Sequence, residues 1–229
     1  MLPLVLLPGM MCDARLFAPQ IAALGGTRQM TVLPLRGETV TEIAANVLAH
    51  APPVFALGGL SMGGIVAMEI VAQAPERVTR LALMDTNPRA ETAQVAARRE
   101  PQIAAVRAGG LRRVMRDEMK PNYLAPGPGR AAVLDLCMEM AEALGPEVFV
   151  RQSRALQTRP DRQEVLRGVA VPTLVLCGEH DALCPVERHE LMAALVPGAV
   201  LDVVEGAGHL PTLEAPEAVI AAMRRWLAA

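Results

Sequence analysis

Gly59-Leu60-Ser61-Met62-Gly63-Gly64 places one serine between glycines in a Gly-x-Ser-x-Gly spacing. The chemistry this suggests is attack by the Ser61 hydroxyl on a carbonyl carbon. Val54 to Leu57, just before it, is an apolar run with the length of a buried strand, and Ile65 to Ala72, just after it, reads as a buried helix. Strand, motif and helix together predict a nucleophile elbow rather than a glycine-rich turn with an incidental serine. A serine on so sharp a turn adopts a strained backbone. Gly59 and Gly63, lacking Cβ, let strand and helix close around it. Ser61 Oγ then stands above the sheet edge, where the first N–H groups of the helix point.

A serine hydroxyl is a weak nucleophile until a base lies within hydrogen-bond reach and a carboxylate orients that base. Of the four histidines, His209 is the candidate base. It sits in Gly206-Ala207-Gly208-His209-Leu210-Pro211, a loop of small residues following the last predicted strand. Such a loop can lie over the carboxyl ends of a parallel sheet, where ligands bind. His50 and His189 read as surface or packing residues, and His180 as a residue that at most borders the site. Two carboxylates compete for the orienting role. Asp181, in Cys177-Gly178-Glu179-His180-Asp181, follows one strand, and Asp85, in Asp85-Thr86-Asn87-Pro88, follows another. Asp85 has a second possible use, capping the backbone N–H groups of its own turn.

These residues need a scaffold, and the hydrophobic pattern predicts one. Leu2 to Leu7 is continuously apolar, the mark of a strand buried on both faces. Asp13 caps a predicted helix carrying Leu16, Phe17, Ile21 and Leu24. Met30 to Leu33 is a second strand. Thr39-Val40-Thr41-Glu42 fits a capping box for the next helix. Val78 to Met84, Val171 to Leu176 and Val200 to Val204 are further strands, with helices over Pro185 to Leu195 and Pro216 to Leu227. Alternating strand and helix means right-handed crossovers and a doubly wound, mostly parallel sheet. The rhythm breaks between Arg89 and Arg167, where only helical periodicity remains. That predicts an α/β core from 1–88 and 168–229, with a helical lid over 89–167.

Composition excludes several classes. The 229 residues are 52% hydrophobic and 20% charged, with a net charge of −2, which does not call for nucleic acid or an acidic membrane as partner. Lys120 is the only lysine. Cys12, Cys137, Cys177 and Cys184 are scattered without metal-ligand spacing, as expected of free thiols in a cytoplasmic protein. The apolar N-terminus lacks the basic flank and cleavage site of a signal peptide. No apolar run reaches the roughly 20 residues that span a bilayer.

Along nearly its whole length the chain resembles the α/β-hydrolase fold serine hydrolases, on Gly59-Leu60-Ser61-Met62-Gly63-Gly64, Gly178-Glu179-His180-Asp181 and Gly206-Ala207-Gly208-His209. The order serine, acid, histidine is that of the family's triad, and the resemblance selects Asp181 over Asp85. Leu6-Leu7-Pro8-Gly9-Met10 resembles the family's oxyanion loop, with Pro8 where a histidine is usual. Most relatives carry a β-hairpin before this strand, so a trimmed sheet of about six strands is expected here. The resemblance implies an acyl-enzyme on Ser61 and an oxyanion bound by the N–H groups of Met10 and Met62. It implies no need for a metal or organic cofactor. Met11 and Leu210, with Met10 and Met62, are expected to line an adaptable apolar pocket.

The resemblance implies a carboxylesterase for small or medium acyl groups. Gly-Leu-Ser-Met-Gly-Gly is also similar to the pattern of enol-lactonases and thioester hydrolases. Residues 89–167 hold 14 basic and 10 acidic side chains, so the rest of the chain carries an excess of six negative charges. An arginine-bearing lid resembles that of pimeloyl-carrier-protein methyl ester esterases and implies an acidic acyl carrier protein as a possible partner, with Arg112, Arg113 and Arg116 as its expected contacts. The alternative to catalysis is a small-ligand receptor built on the same fold.

Overall fold

A computed structural model describes residues 2–229; Met1, the first residue of the expected core, lies outside them. Six strands form one sheet: β1 (Leu4–Leu7), β2 (Met30–Val32), β3 (Phe55–Leu60), β4 (Val78–Met84), β5 (Thr173–Gly178) and β6 (Val200–Val204). The order is β2-β1-β3-β4-β5-β6 and every neighbouring pair is parallel. This is the six-stranded, doubly wound α/β sheet the sequence predicts. The central strands are continuously apolar because both their faces are covered: all of β1 and all of β3 are buried.

Side chains alternate between the two faces, so each strand feeds two cores. Val5, Leu7, Leu57 and Leu83 pack with α2 (Val40–His50) and α3 (Met62–Gln73). Leu4, Leu6, Ala56 and Met84 pack with Leu16 and Phe17 and with α11 (Pro216–Ala228) on the other face. The Thr39–Glu42 capping box forms as expected and starts α2. Asp13, however, caps a short 3₁₀ turn, Ala14–Phe17; α1 (Ala18–Leu24) begins only after it, with a proline in its first turn.

Between β4 and β5 the chain is entirely helical: α4 (Ala93–Ala105), α5 (Leu111–Val114), α6 (Arg130–Leu144), α7 (Pro146–Gln157) and α8 (Gln163–Arg167). Gly109, at φ 88°, turns the chain between α4 and α5. Both ends of this insertion meet at one point. The Arg162 N–H donates to the Pro88 carbonyl at 2.8 Å, and the Arg162 guanidinium pairs with Glu69, a buried carboxylate on α3. After β5 come α9 (Val186–Leu195), β6, α10 (Pro211–Glu214) and α11.

Candidate active site

Strand β3 runs through Gly58 and Gly59 to Leu60, three residues beyond the predicted end, and Ser61 is the corner into α3. Its backbone lies at φ 55°, ψ −115°, a strained conformation for a residue with a Cβ. Neighbouring glycines make the corner possible. A Cβ on Gly59 would run into the Gly63 carbonyl, and one on Gly63 into the carbonyl of Leu7. Only two other non-glycine residues have positive φ among those described, Met11 at 56° and Asp85 at 46°. All three lie at or just beyond the carboxyl ends of adjacent strands, so the backbone strain is gathered at one rim of the sheet.

His209 stands over this corner. Its Nε2 is 2.9 Å from Ser61 Oγ and its Nδ1 is 2.8 Å from Asp181 Oδ2. The other carboxylate oxygen, Asp181 Oδ1, accepts the N–H groups of Leu183 at 2.8 Å and Cys184 at 2.9 Å. Burial alone raises the Asp181 carboxyl; the imidazole beside it and these N–H donors outweigh that and hold it below its ordinary value. The loop that carries His209 is braced from outside the core. Tyr123 of the insertion accepts the His209 N–H at 2.7 Å. The Glu214 carboxylate takes the N–H groups of Gly208, Leu210 and Ala125.

Asp85 does not cap its own turn, as the sequence suggested it could. Asn87 does that, accepting from Arg89 N–H at 3.1 Å. Instead Asp85 is fully buried and reaches across to β5, where its Oδ1 accepts the Gly178 N–H at 2.9 Å. Its Oδ2 has no donor among the described residues. Burial first, and then the Asp181 charge beside it, push the Asp85 carboxyl well above its ordinary value.

Of the two readings of His189, surface or packing, the structure shows packing. It is completely buried on α9, its Nε2 accepts the Thr86 N–H at 3.0 Å, and burial lowers its pKa to about 4. Thr86 in turn donates its hydroxyl to the Ser61 carbonyl at 2.7 Å. No motif signals this His189–Thr86–Ser61 chain, because its members are joined only by the fold. His180 is exposed, as is His50.

A cleft of about 340 Å³ opens at Ser61, between the strand ends and the insertion. Met10, Met62 and Leu210 line it as expected, together with Tyr123, Leu156, Leu183 and Cys184. Met11 does not. Its side chain is fully buried in the core, and its N–H donates to Gln152 Oε1 at 2.9 Å, so α7 of the insertion holds the loop after β1. The N–H groups of Met10 and Met62 take no acceptor among the described residues, Met62 being the first residue of α3. Donor atoms of Asp181, Cys184 and His209 lie within 4.8 Å of one another, but the carboxylate and imidazole are already bonded to each other.

Residues 4–222 match the model of the alpha/beta hydrolase family. A pimeloyl-[acyl-carrier protein] methyl ester esterase from Xanthomonas oryzae pv. oryzae is 28% identical, over 98% of this chain and 94% of the relative. A thermophilic esterase from Thermogutta terrifontis superposes with a TM-score of 0.91 at 30% identity, covering 100% of this chain and 90% of that one. The enol-lactonase from Burkholderia xenovorans LB400 shares the fold at a TM-score of 0.90 and 22% identity, covering 100% and 92%. With its elbow, its parallel sheet and a match over nearly its whole length, the chain belongs to the alpha/beta hydrolase family.

Proposed function

We propose that this hydrolase cleaves carboxylic esters of small or medium acyl groups through an acyl-enzyme on Ser61. His209 is the general base and acid, and Asp181 orients it. The observation carrying this reading is the unbroken relay from Ser61 Oγ through both ring nitrogens of His209 to Asp181, with steps of 2.9 and 2.8 Å. As Ser61 Oγ bonds to the carbonyl carbon, its proton passes to His209 Nε2. The carbonyl oxygen becomes an oxyanion held by the Met10 and Met62 N–H groups; one such donor is worth about 3 kcal/mol. Collapse breaks the ester C–O bond, and the alcohol leaves with the proton from Nε2. Water then repeats the sequence and frees the acid and Ser61. Throughout, Asp181 fixes the Nδ1–H tautomer and stabilises the imidazolium. Residues 89–167 act as the lid, and 1–88 with 168–229 as the core. The same steps open an enol-lactone or cleave a thioester. A cytoplasmic place of action fits four free cysteines, and among the described residues no helix is long and apolar enough to cross a membrane.

A second reading, a carrier-linked acyl ester as substrate, is favoured by the positive excess of 89–167 and by the activity named for the Xanthomonas relative. The expected docking arginines are less free than their charge suggests: Arg112 pairs with Glu142, Arg113 with Glu118 and Arg116 with Asp117.

A fluorophosphonate probe tests the core reading. Intact mass rises by one adduct on Ser61, and Ser61→Ala abolishes both the adduct and the hydrolysis of p-nitrophenyl acyl esters, a loss of about 10⁶-fold. Folded protein that neither labels nor hydrolyses any ester is a ligand receptor instead.

A further inference from the structure

The cleft at Ser61 is apolar on its core side and cationic on its insertion side. Arg99 and Arg159 line that wall with side chains only 15% and 11% exposed, and Arg98 stands at the rim. One carboxylate answers them. Glu91, 4% exposed, takes Arg99 through Nε at 3.1 Å and Nη2 at 3.0 Å. Arg99 is thereby committed, and its Nη1 rests 4.0 Å from Met10 Sδ.

Arg159 is not committed. Its Nε donates to the Arg89 carbonyl at 3.1 Å, and its nearest carboxylate oxygen, on Glu91, is 3.9 Å from Nη2. Its terminal nitrogens take no hydrogen-bond acceptor among the described residues, and Arg98 forms no ion pair. Arg99 and Arg159 thus share the single carboxylate of Glu91, which Arg159 meets only at 3.9 Å, and Arg98 adds a further positive charge at the rim. Holding a guanidinium out of water with only a distant, shared anion is unfavourable, and desolvation outweighs the Glu91 charge and lowers the Arg159 pKa. The planar fork matches a carboxylate in two-point contact, and 340 Å³ lies near the small end of ligand sites.

Building on the ester-hydrolase reading, we propose that the substrate carries, besides the ester that reacts at Ser61, a free carboxylate held by Arg159 with Arg98 at the rim. The substrate class is then the half-ester, or the carboxylate-bearing lactone, of a short dicarboxylic acid.

The test compares monomethyl adipate with methyl hexanoate, matched in acyl length, at low salt. The ratio of their kcat/KM values is expected to favour the half-ester by roughly 10- to 100-fold, to fall by the same order in Arg159→Gln through KM, and to shrink as salt is raised. Arg98→Gln, at the exposed rim, lowers the ratio less and serves if Arg159→Gln does not fold. A ratio near one in the wild type, or one that both variants leave alone, overturns the proposal. So does preference for an ester of matched length ending in phosphate. Calorimetric binding of the same two esters to Ser61→Ala separates the two readings. If neither ester is hydrolysed by wild-type protein, the esterase reading fails; half-ester binding that Arg159→Gln weakens still supports the carboxylate site, and equal binding of the two esters removes it.

Discussion

Asp85 and Asp181 stand side by side at the carboxyl ends of β4 and β5, and only Asp181 reaches His209. The N–H donors and the imidazole gather around Asp181, whereas burial and the Asp181 charge push the Asp85 carboxyl up. Asp181→Asn keeps the shape but favours the wrong imidazole tautomer, and turnover should drop on the order of 10⁴-fold. Asp85→Asn keeps the shape of the side chain and an acceptor for the Gly178 N–H, so most of the turnover should survive. Asp85→Leu strands that N–H and should cost more than Asp85→Asn. Initial rates on a p-nitrophenyl ester, with folding checked by circular dichroism, rank the three; Asp85→Asn falling below Asp181→Asn would reverse the assignment.

His189 makes the fold sensitive to acid. The unfolded chain takes up this proton at about 6.5, the folded protein only at about 4. Between those values the unfolded state binds more protons, so stability falls as pH is lowered through the window. The difference amounts to something on the order of 3 kcal/mol. Urea unfolding from pH 7 to 4 should show wild-type protein losing stability faster than His189→Gln, which has no such group to titrate. Parallel curves would mean that His189 takes up its proton at the same pH in the folded and unfolded chain.

The elbow should tolerate no side chain at its inner glycine. Gly63→Ala drives a Cβ into the Leu7 carbonyl, a backbone atom that cannot turn aside, whereas a Cβ on Gly26 meets nothing within 4 Å. Gly63→Ala is expected to cost about 3 kcal/mol or more, with Gly26→Ala near neutral. Denaturation midpoints of the two variants decide this.

Carrier docking has its own signature. Charge reversal of Arg112, Arg113 and Arg116 also breaks their pairs with Glu142, Glu118 and Asp117. If an acidic carrier docks there, kcat/KM on a carrier-linked ester should fall about tenfold relative to a small ester at low salt and by little at high salt. A ratio unchanged at every salt concentration removes the carrier from this face.

Much of this architecture was legible in the chain. Leu4–Leu7 and Val78–Met84 announce buried strands because parallel strands need no polar face, and Ser61, His209 and Asp181 follow strand ends in a known order. Other features depended on neighbours remote in sequence. Nothing near Met11 indicates that its N–H will find Gln152, which turns the residue into the core and away from the cleft. Asp85 looked like a turn-capping residue because its partner, Gly178, belongs to another strand. β3 outran its predicted end because ladder bonds to β1 and β4 hold Gly58 and Gly59 extended whatever their own preference.

The junction of Pro88, Arg162 and Glu69 has an evolutionary consequence. Residues 89–161 leave and rejoin the core at one point, between two strands that are already neighbours. Loop closure changes by only about 0.6 kcal/mol per doubling of length, so changes of length in this segment are expected to cost the core little. Grafts and deletions there can change which esters are accepted while the sheet keeps the serine, imidazole and carboxylate in place. The condition on any replacement is narrow: it must offer acceptors to the N–H groups of Met11 and His209, the parts now played by Gln152 and the Tyr123 carbonyl.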